Sequence, residues 1–177
     1  MEGMIANPKN KEKGVYELAL LTRTINLPMS AIGKNISDVL DKTVSTLFEG
    51  KCLVEGYIRP NSIKIMNYSS GLVQGDNITF EVVFECRVCY LVEGMLINCM
   101  ATNITKAGIR GESSDERPSP FIVFIARDHH YMNDYFSEIK ENDKFSARII
   151  GQRFELNDKQ ISVIAEIRNP KKTYKPK

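Results

Sequence analysis

The sequence predicts a β-rich α+β chain in two parts, a strand-helix-strand-strand unit followed by a five-stranded barrel. Three observations carry this reading. Residues 78–92 hold the longest regular apolar/polar alternation in the chain, the period-2 signature of a half-buried strand. Residues 36–48 repeat apolar side chains at helical spacing. From residue 94 the pattern restarts as strand, strand, strand, helix, strand, strand.

Taken in order, residues 1–14 are polar and basic and read as a disordered arm. VYELALLTRTINL (15–27) is a strand that stops at Pro28, because proline cannot donate to a ladder. In NISDVLDKTVSTLFEG, Ile36, Val39, Leu40, Val44, Leu47 and Phe48 share a helix face. Asn35 with Asp38 resembles a capping pair, and Gly50 sits where a C′ glycine ends a helix. CLVEGYIR and SIKIMNY follow as strands joined at Pro60-Asn61, then a Ser/Gly-rich loop, SSGLVQGDN.

Within 78–92, Ile78, Phe80, Val82, Phe84, Cys86, Val88 and Tyr90 lie on one face, and Cys89 falls on the other with Thr79, Glu81, Val83, Glu85 and Arg87. Cys86-x-x-Cys89 has the spacing of a zinc knuckle or a redox dithiol. On a strand, however, positions i and i+3 point opposite ways and sit about 10 Å apart. Thiolates on one zinc, with bonds of about 2.3 Å, lie about 4 Å from each other. Cys86 therefore reads as a core residue, and no metal or cofactor is expected.

In the second part, GMLINCMATNITKAGIRGE reads as one strand and a short second at 108–112, SSDERPSP as a polar loop, and FIVFIA (121–126) as a buried strand. RDHHYMNDYFSEIKEND places Tyr131, Met132, Tyr135, Phe136 and Ile139 on one helical face. FSARIIGQRFEL and QISVIAEI form a hairpin across Asn157-Asp158-Lys159. This is the element order of an OB barrel. The expected divisions are 15–92, 93–169 and a basic tail at 170–177.

Composition narrows the function. The net charge of +2 divides into −1 over residues 1–93 (ten Lys/Arg, eleven Asp/Glu) and +3 over 94–177 (fourteen and eleven). Such a field is too small to hold a polyanion tightly, so any nucleic-acid contact should be weak and salt-sensitive. No apolar run approaches the roughly 20 residues that span a bilayer, and the first residues have no apolar signal region. An intracellular chain with reduced cysteines is expected. Asp128, His129, His130 and Asp134 could suggest a metal enzyme, but adjacent histidines on a helix diverge by about 100°. With no acidic metal triplet and no phosphate loop, the chain reads as a non-enzyme.

Together the two parts resemble the seventh-subunit (stalk) family of eukaryotic RNA polymerase II and its archaeal RNA polymerase counterpart. The resemblance covers roughly residues 15–168. It rests on the tip with its helix ending in FEG, on SGLVQGD feeding ITFEVVFECRV, and on VEGMLINCMATNITKAGI as the start of an S1-type barrel. The chain departs from the pattern where CYLVEG joins the long strand to the barrel without the usual Pro/Gly linker, which bears on the angle between the domains. That divergence suits a polymerase from a large DNA virus.

The resemblance implies a non-catalytic stalk protein that pairs with a smaller helical partner, docks near the polymerase clamp and holds an S1 domain near nascent RNA. It would work in the nucleus if cellular, or in a cytoplasmic viral factory or the virion if viral. Docking would fall to Leu27, Pro28, Met29, Ile32 and Gly33 and to Met66, Asn67, Tyr68, Gly71 and Leu72. Candidate RNA contacts are Lys106, Arg110, Arg127, Arg148 and Arg153, with Phe121, Phe124 or Phe154 as stacking rings. The alternative is a free-standing S1-type RNA-binding factor in translation or RNA decay.

Overall fold

The structure, a computed structural model, describes residues 14–33 and 35–170. Apart from Gly14 and Pro170, the expected N-terminal arm and basic tail lie outside these residues. The described chain forms two β-sheets, the second of them closed. No helix among the described residues is long and apolar enough to cross a membrane.

The first sheet is organised by one strand. Strand β1 (Tyr16–Pro28) runs antiparallel to β6 (Asn77–Cys89) over thirteen consecutive residue pairs. Along the other edge of β6 lie, end to end, β5 (Leu72–Gln74), β4 (Lys64–Tyr68) and β3 (Gly56–Ile58); β2 (Cys52–Leu53) pairs with β3. Helix α1 (Ile36–Phe48) covers one face: Leu40 and Val44 are fully buried, and Phe48 stacks on Phe84 with ring centroids 5.7 Å apart. The helix ends as expected, with Gly50 in the left-handed region that glycine adopts without steric cost. Its start differs, because Asn35 spends its side chain on Asp38 and makes no cap bond.

Two local readings are corrected. CLVEGYIR is not one strand: Cys52–Leu53 and Gly56–Ile58 form a hairpin with each other, only Gly56–Ile58 reaches β6, and past Pro60-Asn61 the chain steps along the same edge of β6 to SIKIMNY. The SSGLVQGDN segment is not all loop. Leu72–Gln74 form a short hairpin with β6 through Gly75, which has positive φ.

The second sheet comprises β7 (Leu96–Ile104), β8 (Gly108–Ser113), β9 (Phe121–Ala126), β10 (Lys144–Arg153) and β11 (Ile161–Arg168). They close in the order β10-β11-β9-β8-β7, with β9 and β11 parallel and β7 against β10. That is the closure of an OB barrel. The barrel is tight enough that a side chain at Gly108 would put its Cβ 2.1 Å from the Ile125 carbonyl oxygen. Between β9 and β10 the expected continuous helix is absent. A 3-10 turn at Arg127–His129 and a short α2 (Asp134–Glu138) replace it, leaving Tyr131 and Met132 exposed while Phe136 and Ile139 are buried. Asn133 supplies the cap: its side chain accepts a bond from Phe136 N–H, and such a local bond starts a new helix rather than continuing an old one.

The long strand joins two cores. Cys86 packs with Leu21, Leu40, Val82 and Phe84 in the first, whereas Cys89 belongs to the barrel core with Cys52, Tyr57 and Leu91. The two thiols face opposite ways, so they cannot share one ion. Tyr90, assigned by parity to the Cys86 face, is exposed, because β6 ends at Cys89. The seam is hydrogen-bonded: Cys52 N–H donates to Asp158 O at 2.8 Å, and Asn157 N–H donates to Cys52 O at 2.9 Å. This caps the free edge of β2 with the turn of the barrel hairpin. Burial pushes all four cysteine thiols up, Cys52 and Cys86 to about 11 and Cys89 and Cys99 to about 12, so none is a thiolate nucleophile at neutral pH.

Candidate docking end and nucleic-acid face

Of the suggested docking residues, Leu27 to Met29 and Leu72 lie at the end of the first sheet farthest from the barrel, whereas Met66 to Tyr68 lie along the middle of β6, at Val82 to Phe84. Pro28 pairs with Asn77, Met29 N–H donates to Asp76 O at 3.0 Å, and Leu72 to Gln74 lie across the same stretch of β6. Met29, Met66 and Leu72 are exposed, and so is Val73, which the sequence pattern places in a loop. Met66 is pushed outward because it is the extra residue of a bulge, between Ile65 opposite Phe84 and Asn67 opposite Val83. Pro28, Gly33 and Asn67 are also exposed.

Three of the ten residues turn inward. Leu27 is 4% exposed and belongs to the core, since on β1 it shares the inward parity of Leu21 and Ile25. It is no docking anchor. Tyr68 lies edge-on to Phe80 at 6.4 Å, and Ile32 also packs on the first core. Gly71 sits so close to β6 that an added Cβ would fall 2.4 Å from Ile78 Cγ2, a packing reason for glycine there.

On the barrel the suggested RNA contacts do not converge. Phe121 is fully buried and cannot stack on a base. In FIVFIA, Phe121, Val123 and Ile125 point inward and Ile122 and Phe124 outward, a parity that an unbroken apolar run conceals. The Arg127 guanidinium donates to Lys106 O and Thr105 O, both at 3.0 Å, and lies 5.2 Å over the Phe136 ring. It holds the β9–α2 connection rather than reaching outward. Arg148 is forked onto Glu166, whereas Arg153 makes only a single contact of 2.9 Å with Glu155 and its side chain stays 83% exposed.

Arg110, Lys106 and Arg153 remain. Arg110 is exposed on β8, and its cross-strand partner on β9 is Phe124, the outward ring at 37% exposure. An arginine beside an accessible aromatic ring is a combination that holds an unstacked base.

The histidine pair has a structural explanation. His130 is buried and stacked on Phe136 at 5.1 Å. Ile167 N–H donates to its Nε2 at 3.0 Å, so its Nδ1 carries the proton and donates to Ala126 O at 2.7 Å. It clamps β11 to the end of β9 through a neutral ring. Asp128 and His129 are exposed in the 3-10 turn, and Asp134 begins α2.

No family model matches this chain. A protein of Acanthamoeba polyphaga mimivirus named "Putative DNA-directed RNA polymerase subunit L376" is 23% identical over 169 residues, covering 86% of this chain and 81% of its own length. The chain is a distant homologue of that viral protein. The aligned stretch is too long to be confined to either sheet. Among solved structures, GSP13 from Bacillus subtilis aligns with 49% of this chain and 67% of its own at 13% identity, with a TM-score of 0.36. The barrel assignment rests on strand order and closure, not on that overlap.

Proposed function

We propose that this chain is a non-catalytic stalk subunit of a multisubunit DNA-dependent RNA polymerase, with an S1-type barrel. The observation that carries the reading is the length of the likeness to the mimivirus polymerase protein, 86% of the chain. In this reading the first sheet docks on the polymerase core near the clamp through Met29, Leu72 and Val73 at its far end and Met66 along the middle of β6. A smaller helical subunit completes the stalk. Strand β6, thirteen residues and about 43 Å long at 3.3 Å per residue, then sets the distance between the docked end and the barrel. The barrel holds nascent single-stranded RNA weakly, with Arg110 and Phe124 as the contact pair. Nucleotide transfer belongs to other subunits.

Affinity capture of the tagged full chain, followed by mass spectrometry, tests this. Polymerase core subunits and a small helical protein are the expected companions. Recovery with ribosomes or RNA and no polymerase would instead favour a free-standing S1-type RNA-binding factor.

A further inference from the structure

Three arginines outside the barrel face just described meet at the seam between the sheets. Arg59 follows β3, Arg87 lies on β6, and Arg117 is in the β8–β9 connection. With Tyr16, Leu18 and Glu85 they line a groove of about 520 Å³. The Arg59 guanidinium lies 5.2 Å over the Tyr16 ring and touches Glu116 through a single contact of 3.2 Å. Arg117 touches Glu112 through one contact of 3.3 Å, with its side chain still 60% exposed. Arg87 is exposed, and among the described residues its side chain has no ion-pair partner.

These contacts leave most guanidinium N–H groups open. Single-contact surface pairs contribute about 0–1 kcal/mol and are screened by salt, so a better anion displaces them readily. Guanidinium forks match phosphate oxygens in geometry. Leu18, 63% exposed beside Arg87 in strand register, adds an apolar floor suited to a sugar or base.

Arg117 links the groove to the outer side of β8. Arg110 and Glu112 are two residues apart on β8 and share its outer side, and Arg117 reaches back to Glu112. A strand laid on Phe124 and Arg110 would pass Glu112 and enter the groove.

We infer that the Arg59–Arg87–Arg117 groove is a binding site for the phosphodiester backbone of single-stranded RNA, taking the segment next to the one on Phe124. The inference rests on the RNA reading of the barrel and extends it across the seam onto the first sheet. The groove grips phosphate, and the barrel ring stacks on a base. Loss of the two sites should therefore read out differently, since phosphate contacts set the salt slope and stacking does not.

The test is fluorescence anisotropy of a labelled single-stranded RNA of about 20 nucleotides with the purified full chain over a series of salt concentrations. Arg87→Gln with Arg117→Gln should weaken binding on the order of tenfold at low salt and flatten the logarithmic salt slope by about 1.4, two contacts at about 0.7 each. Phe124→Ala should weaken binding and leave the slope unchanged. If Phe124→Ala weakens binding while the double arginine variant matches the wild type in affinity and slope, the groove is overturned and the RNA reading stands. If the wild type binds no RNA at any salt, that reading fails and the groove with it. An oligoglutamate peptide whose binding is lost in the double variant, alongside unchanged RNA affinity, would assign the groove to an acidic protein segment and overturn the RNA assignment. Both arginines project from exposed positions, and circular dichroism of the double variant should match the wild type.

Discussion

The two sheets bury their cores by different means. The barrel closes on itself: five strands leave no unpaired edge, and inward residues from Ile97 to Ile167 fill it. Among the described residues the first sheet stays open. Strand β1 is its terminal strand, regular over thirteen pairs, with Leu18 and Leu20 exposed at 63% and 65%, and the sheet displays Met29, Leu72 and Val73 at its far end and Met66 along the middle of β6. An open, regular, partly apolar edge is a liability in a protein that works alone and an asset in one that works in an assembly. The contrast teaches that the barrel needs nothing further to complete its sheet, whereas the first sheet, among the described residues, leaves an edge unpaired.

The strongest way to break the contrast is to ask whether the halves unfold separately. Cys52, Tyr57 and Cys89 come from the first sheet yet sit in the barrel core, and the β10–β11 turn is bonded to β2. Phe84→Ala in the first core and Phe121→Ala in the barrel should each cost about 3–5 kcal/mol. Denaturant unfolding followed by circular dichroism should show one transition shifted in both variants. Two transitions, each answering to one substitution, would make the halves independent.

A second effect comes with alkali. Burial raises the thiols from an ordinary value of 9.0 to about 11 or 12, so the folded state keeps protons that the unfolded chain releases. The stability this represents is intact below about pH 9 and is lost as pH rises through the folded values. Thiolate absorbance in a pH titration should rise together with loss of structure. Ionisation in a chain that stays folded would contradict the burial.

A smaller effect lies on the acid side. Burial works to raise the Glu55 carboxyl, but the Arg23 guanidinium, bonded to it at 2.6 and 2.7 Å, holds it below the ordinary value of 4.5. A depressed carboxylate stabilises above its unfolded pKa and loses that contribution as pH falls through the folded one. Both side chains are about one-third exposed, so Glu55→Gln should cost no more than about 1 kcal/mol, measurable only above the carboxylate range.

How much of this was legible depended on how much the local pattern constrained each residue. The alternation in 78–92 and the periodicity of α1 foretold β6 and the helix, because each buries one face along its whole length. The Cys86/Cys89 geometry followed from strand parity alone. FIVFIA was readable as a strand but not as a face: every residue is apolar, and only the closed barrel decides that Phe121 points in and Phe124 out. The stretch 131–139 matched a helical period, yet Asn133 capped a new short helix and left Tyr131 and Met132 outside. The Leu72–Gln74 strand, set in a Gly/Ser-rich stretch, is too short to register, and its pairing comes from β6. The seam arginines carry no shared spacing at all, since three separate segments bring them together.

The least effect on stability and the greatest on assembly should come from the exposed apolar residues along the β6 edge that carries β4 and β5. Met66 and Leu72 are exposed, so Met66→Asp with Leu72→Asp should change the unfolding free energy by no more than about 0.5 kcal/mol per site. Capture of this variant beside the wild type, with polymerase subunits quantified by mass spectrometry, tests the central claim most directly. The account predicts an unchanged unfolding midpoint and loss of the polymerase subunits. Full recovery of those subunits by the folded variant would contradict it.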